Sequence, residues 1–272
     1  MASASQTHNY KQGYSSQTVA TQQARTAEAE AAFLLPYIKK TDFILDVGSG
    51  PGTITIGLSK CASEGRTVGI DISANVLQRA KAAADEASIP NEGPGSILFE
   101  EGNILEGLPY PDNTFDVVFC SQTLGYMPPP DMPGKALAEM RRVLKAGGGG
   151  VDLDRLWVGN FQRAVLKGHP HPEAGLAPPV MPALLRRAGF DADAGKVRIG
   201  TGSSTFWGPD MRHKLSTRAE SQLQPGDPLY RSWLEAGITE DEIRETVLAS
   251  RKWAETEDAW YAALHCEMLA WK

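Results

Sequence analysis

Apolar and polar positions along this chain fall into blocks whose period changes from about two to between three and four and back again. The sharpest block, Ile44-Leu45-Asp46-Val47, has the length of a buried strand and runs straight into Gly48-Ser49-Gly50-Pro51-Gly52-Thr53, a glycine-rich turn opening a helix. Ahead of it, Ala24, Ala27, Ala31, Leu34 and Leu35 form an apolar stripe that predicts a helix from Thr21 to near Pro36. After it, Thr67-Val68-Gly69-Ile70 is a second strand ending on Asp71. Ser73 then caps a helix over about 74–87, with Val76, Leu77, Ala80 and Ala84 on its buried face. Ile97-Leu98-Phe99-Glu100 is a third strand. Phe115 to Cys120 is a fourth, apolar enough to be covered on both faces.

Strands alternating with helices predict an α/β fold with a doubly wound, mostly parallel sheet. A helix over 133–144 continues the alternation, and a fifth strand is due after Gly147-Gly148. There the pattern weakens: Gly149-Gly150-Val151-Asp152-Leu153-Asp154 reads as truncated and polar for a central strand, unless Val151 to Leu153 pair adequately. Helices are then predicted at 154–166, 181–188, 210–222 and 228–236, with a longer one behind the capping box Thr239-Glu240-Asp241-Glu242. Lys196 to Ile199 reads as a strand. Trp260 to Trp271 fits the closing edge strand, although a helix suits Ala259 to Met268 nearly as well. This implies a polar arm or lid over 1–20 and one domain over 21–272, with its core at 40–150 and substrate-side helices at about 155–255.

Composition narrows the function classes. A net charge of −6 argues against a broad nucleic-acid footprint, for which a basic face is expected. Three scattered cysteines, Cys61, Cys120 and Cys266, lack metal-ligand spacing, and Cys120 and Cys266, in apolar runs, read as buried free thiols in a reducing compartment, the cytoplasm. No metal is expected, and no segment has the apolar length of a membrane span. His169 and His171 sit between prolines and read as an exposed loop rather than a metal pair.

The chemistry concentrates at the glycine turn. Alternate glycines let a ligand approach the backbone, and an acid at the tip of the second strand is placed to accept both hydroxyls of a ribose. The dinucleotide fingerprint needs a third glycine where this chain has Thr53, so the turn matches a mononucleoside site better than a dinucleotide one. A tight strand-to-helix connection is the competing reading of the glycines alone, and Asp71 counts against it.

Several separated segments resemble the class I S-adenosylmethionine (SAM)-dependent methyltransferases of the ubiquinone/menaquinone-biosynthesis type, and most of all their fungal small-molecule relatives. They are the run from Arg25-Thr26-Ala27-Glu28 to Pro36, the glycine turn, Gly69-Ile70-Asp71-Ile72-Ser73, Leu108-Pro109-Tyr110-Pro111-Asp112, Phe115-Asp116-Val117-Val118 and Glu139-Met140-Arg141-Arg142-Val143-Leu144 with the glycines after it. The resemblance implies a Rossmann-like seven-stranded sheet with an antiparallel last strand, SAM as cofactor and S-adenosylhomocysteine as product. It places Asp46, Gly48, Ser49, Gly50 and Gly52 around the methionine part, Asp71 on the ribose and Ile72 against the adenine. Asn103, with Ile104 beside it, stands where the family has an adenine-binding aspartate. Ser121 and Gln122 face the sulfonium and substrate. Tyr126 replaces a histidine found in many relatives; with Tyr14 and His8 it is a candidate base. The expected activity is methyl transfer to a small, apolar metabolite. A non-methylating rearrangement on the same scaffold and a catalytically silent binding partner are the alternatives. Trp157, Trp207, Trp233 and Trp253 are candidates for an apolar pocket, with core packing as the competing reading.

Overall fold

The computed structural model describes residues 16–124, 127, 131–146, 149–155, 183–191 and 195–272. The elements begin with α1 (Ser16–Gln23), α2 (Ala27–Glu30), β1 (Phe43–Val47), α3 (Thr53–Cys61), β2 (Arg66–Asp71) and α4 (Ala74–Glu86). They continue with β3 (Ser96–Glu101), β4 (Val117–Cys120), α5 (Asp131–Val143), β5 (Gly149–Arg155) and β6 (Val197–Phe206). The last are α6 (Pro209–Gln222), α7 (Pro228–Glu235), α8 (Glu240–Glu255) and β7 (Tyr261–Trp271). The chain divides into two compact units, one of 22–154, 177–201 and 266–272, the other of 1–21, 155–176 and 202–265.

In the first unit four parallel strands lie in the order β3-β2-β1-β4. Leu45 faces Val68 on one side and Val118 on the other. Side chains alternate across the sheet, so Leu45 and Val47 pack with Ala136, Leu137, Met140 and Val143 of α5, while Ile44 packs with Ile54 and Leu58 of α3. Helices therefore cover both faces, which is why the strands read as nearly unbroken apolar runs. The chain leaves β1 toward β2 and later returns to β1's other side as β4. The carboxyl ends of β1 and β4 thus form the switch point where such sheets bind ligands.

Three sequence expectations are corrected. The single helix over 21–36 is broken: Thr26 adopts an extended backbone, and its hydroxyl accepts from Ala29 N–H at 3.3 Å to start α2 afresh. Helix α2 closes at Ala31, and Pro36 falls in a 3-10 turn over Leu35–Tyr37. Ser73 occupies the cap position of α4 but its side chain makes no capping bond. The fifth strand, which reads as truncated, forms over seven residues, and Asp154 and Arg155 belong to it rather than to a helix. It gains a partner the local pattern does not reveal, since β5, β7 and β6 form a three-stranded sheet in that order. The strand alternative for 261–271 is the one adopted, because those residues pair with β5 and β6. The rest of the predicted helix at 156–166 and both His169 and His171 lie outside the described residues.

In the second unit α6 and α8 pack together. Buried Arg212 donates from Nε to the carbonyl of Ala254 at 3.1 Å, and Arg251 pairs with Glu220. Thr239 and Glu242 form the full capping box of α8: Glu242 N–H donates to the Thr239 hydroxyl at 3.2 Å and Thr239 N–H to the Glu242 carboxylate at 2.8 Å. Thr239→Ala is expected to lower stability by about 1 kcal/mol in urea denaturation. An unchanged midpoint would show that the box is not needed to hold α8.

Candidate functional site

The turn after β1 is tied to the tip of β2 by its own backbone. Gly48 N–H and Ser49 N–H both donate to the carbonyl of Ile70, at 2.8 and 2.9 Å, and Gly50 N–H donates to Asp71 Oδ2 at 3.0 Å. Ser73 N–H donates to Asp71 Oδ1 at 2.9 Å. The carboxylate is thereby held against the glycine turn. Burial pushes the Asp71 carboxyl above its usual range, while the backbone N–H groups of Ser73, Gly50 and Ile72 pull the other way.

Glycine is required at two points of the turn for packing. Gly48 has φ +74, and a Cβ there would lie 2.2 Å from Thr123 Oγ1. Gly52 has φ +82, and a Cβ would meet Phe99 and Ala80 at 2.7 and 2.8 Å. Gly50 differs: its φ is +53, but a Cβ would meet nothing within 4 Å. The loop therefore packs on protein at its ends and faces open space in the middle.

Asp46 sits beneath the turn, 3 % exposed, and accepts from the Thr55 hydroxyl of α3 at 2.6 Å. Burial pushes its carboxyl up to about 7, with Asp71 adding to the rise and Thr55 and Arg25 opposing it. The side chain thus joins strand to helix. After β4, Ser121 is buried and its Oγ accepts from Arg25 Nη2 at 2.5 Å; Arg25 also pairs with buried Glu30 at 2.9 Å. Thr123 donates to the carbonyl of Val47 at 3.1 Å.

The remaining predicted residues are placed as follows. Ile72 is half-buried beside Asp71. Asn103 Oδ1 accepts from Leu105 N–H at 3.0 Å, capping a 3-10 turn, and its Nδ2 donates to Glu106 at 3.1 Å. That carbonyl has a second lone pair beyond this bond. Ile104 is buried among Val47 and Ile70 in the central cluster. Tyr126, Tyr14 and His8 lie outside the described residues, as does Trp157. Trp233 is buried, whereas Trp207 is 72 % exposed and so does not follow the core-packing expectation. Thr55, Thr123 and the Arg25–Glu30 pair carry no local sequence pattern that marks them, apart from a glutamate, Glu30, inside the alanine stripe and Arg25 at its start.

Two buried polar atoms on neighbouring turns lack a protein partner: Ser49 Oγ and Gln122 Nε2. With the open face of Gly50 and the fixed Asp71 carboxylate, they fit a ligand carrying a ribose at one end and further polar groups at the other. No group of three His, Cys, Asp or Glu among the described residues is arranged to hold a metal ion.

The site and fold define a nucleoside-binding α/β enzyme, and comparison with known proteins gives the class. A methyltransferase-domain family model matches residues 44–148. The chain is 76 % identical over 286 aligned positions to a probable methyltransferase, ltbC, of Aspergillus luteorubrus, covering all of both chains. It is 36 % identical over 133 residues to a demethylmenaquinone methyltransferase of Deinococcus radiodurans, covering 49 % of this chain and 45 % of that one. In fold it is similar to the YcgJ protein of Bacillus subtilis, with a TM-score of 0.55 at 14 % identity, covering 89 % of this chain and 97 % of that one. The chain belongs to the class I SAM-dependent methyltransferases, and SAM is its cofactor.

The raised Asp46 carboxyl gives a pH prediction. The folded chain holds this proton more tightly than the unfolded chain, so the group's contribution is full below about pH 4 and is lost as pH rises through about 7. Asp46→Asn removes that dependence. From about pH 4 to about pH 8 the variant should gain stability relative to the native chain, by at most about 4 kcal/mol in urea denaturation. A difference that stays flat would contradict a buried, proton-holding Asp46.

Proposed function

We propose that this enzyme methylates a small, apolar metabolite, in the manner of the ubiquinone/menaquinone-type enzymes, with the adenosyl group held between the tips of β1 and β2. The observation that carries the reading is the Asp71 carboxylate, fixed by the N–H groups of Gly50 and Ser73 beside the open face of Gly50. In this reading Asp71 accepts the ribose hydroxyls, Ile72 and Asn103 face the adenine, and Gly48 to Gly52 receive the methionine part. Asp46 acts through Thr55 by holding α3 against the turn. The acceptor class draws support from the partial likeness to the Deinococcus protein, whose name gives it demethylmenaquinone as substrate.

The four- and three-stranded sheets are read as one seven-stranded sheet. A parallel bridge between Phe115 and Leu144, and the Lys145 N–H bond to Phe115 O at 2.8 Å, lead β5 in beside β4 and support this. A formed β5 also removes the main motive for reading the chain as a silent binding partner. The unbridged thiol of Cys61 supports a reducing location, the cytoplasm.

SAM supplies an electrophilic methyl on a sulfonium. The protein's part is to orient the acceptor in line with the departing sulfur and keep water out, and orientation of this kind supplies up to about 7 to 11 kcal/mol of barrier lowering. Where the acceptor must lose a proton, Tyr126, Tyr14 or His8 is the base, for an added rate of about a hundredfold or more.

Calorimetric titration with SAM is expected to show binding to the native chain and at least about a tenfold loss in Asp71→Ala, since the lost bonds involve a charged group. Mass spectrometry of quinone and phenol acceptors incubated with the native chain and SAM should show a product heavier by one methylene unit. A native chain that takes up no SAM, or an Asp71→Ala chain that binds it equally well, would overturn the reading.

A further inference from the structure

Strands β3 and β6 each lie at a sheet edge, and the two edges differ. At β3 the Ile97 N–H is covered, donating to the carbonyl of Pro90 at 2.9 Å. At β6 one side is taken by β7, and among the described residues no strand lies on the other. Trp271 N–H of β7 donates to the Lys196 carbonyl at 2.8 Å. Four residues along each strand Gly200 adjoins Glu267, where a Cβ on the glycine would lie 3.5 Å from Glu267 Oε2. The two strands are therefore antiparallel, and residues 196, 198 and 200 turn their backbone groups toward β7. Those of Val197, Ile199 and Thr201 turn outward, a row of donors and acceptors open to another strand.

Side chains along this edge suit a strand of the same kind. Ile199 is 56 % exposed, although Val197 on the same face packs against the central cluster. Proline and projecting charge are the usual devices that block edge pairing. Residues 197–201 contain no proline, and their one charge, Arg198, is turned aside. Its guanidinium lies 5.7 and 5.4 Å from the ring centroids of Tyr37 and Trp271 and donates to the Tyr37 hydroxyl at 2.6 Å. No cation among the described residues pairs with Glu267, and burial pushes its carboxyl above the usual range. We propose that β6 is the contact through which two copies of this chain pair, the strands running antiparallel about a two-fold axis at Ile199. Only an outward-turned residue can exchange both backbone bonds with its own copy. An axis at Val197 would set Arg198 against Lys196, and one at Thr201 would set Ile199 against Ser203. The axis at Ile199 sets this exposed side chain against its own copy and pairs Val197 with Thr201. It also lays the partner's Arg198 beside Gly200, where the missing side chain leaves Glu267 open to it. Opposite charges thus meet twice, in a chain whose net charge of −6 otherwise repels its copy.

Sedimentation equilibrium of the full chain, run from about 1 to about 300 µM because concentration governs a two-copy complex, tests this. The apparent mass of the native chain should climb toward twice that of the monomer. Ile199→Lys, at an exposed position that spares the fold, puts like charges at the axis and should weaken the dimer at least about tenfold. Arg198→Glu and Glu267→Arg should each do likewise. The chain carrying both exchanges should return to within about threefold of native, because the pair is then reversed rather than lost. That recovery also shows that the single variants had not merely unfolded. A native chain that stays monomeric throughout, or variants that all pair as the native chain does, would overturn the proposal. Losses in the single variants with no recovery in the double exchange would overturn the assigned register.

Discussion

The site depends on one constraint: the turn after β1 is hydrogen-bonded to the strand beside it. Gly48 and Ser49 share the carbonyl of Ile70, and Gly50 reaches the carboxylate of Asp71. These bonds hold the turn's backbone against β2 and fix the acid beside the turn in the same act. Positive φ at Gly48, Gly50 and Gly52 makes the arrangement possible, because side chains at the two outer positions would strike Thr123, Phe99 and Ala80. Everything proposed about cofactor orientation follows from which end of the turn meets Asp71 and which end meets β4.

Electrostatics beneath the turn serve the same geometry. Asp46 is buried on the α3 face of β1, where the sheet's alternation also places Ile44, and the Thr55 hydroxyl is its nearby partner. A buried carboxyl with one hydroxyl partner holds its proton to higher pH, and it ties the first turns of α3 to the strand. On the other side of the switch point, Arg25 joins Glu30 of α2 to Ser121 after β4. The segment ahead of β1 is thereby fastened to the loop that carries Gln122.

Much of this was legible from residue order. The Ile44 to Thr53 run, the strand ending on Asp71, the apolar stripe of α4 and the capping box of α8 all formed where the pattern put them, because each is a local signal acting over a few residues. Local signals failed where a distant partner decided. Four consecutive glycines made β5 look too weak to form, yet β7, more than a hundred residues further on, lies beside it. The alanine stripe over 24–35 promised one helix, but Thr26 restarts it while Arg25 is drawn to Ser121.

Residue order alone thus determined the class of fold, the glycine turn and the acid at the end of the second strand, since each rests on periodicity, backbone freedom or a charge at a strand end. Only the tertiary structure decided that Asp46 is buried against the Thr55 hydroxyl of α3, that Asn103 caps a 3-10 turn, and that Arg25 reaches Ser121 and Glu30. The physical reason is the same in each case. Burial and hydrogen-bond partners are properties of neighbours brought together across the sheet, and no stretch of sequence states which neighbours those will be.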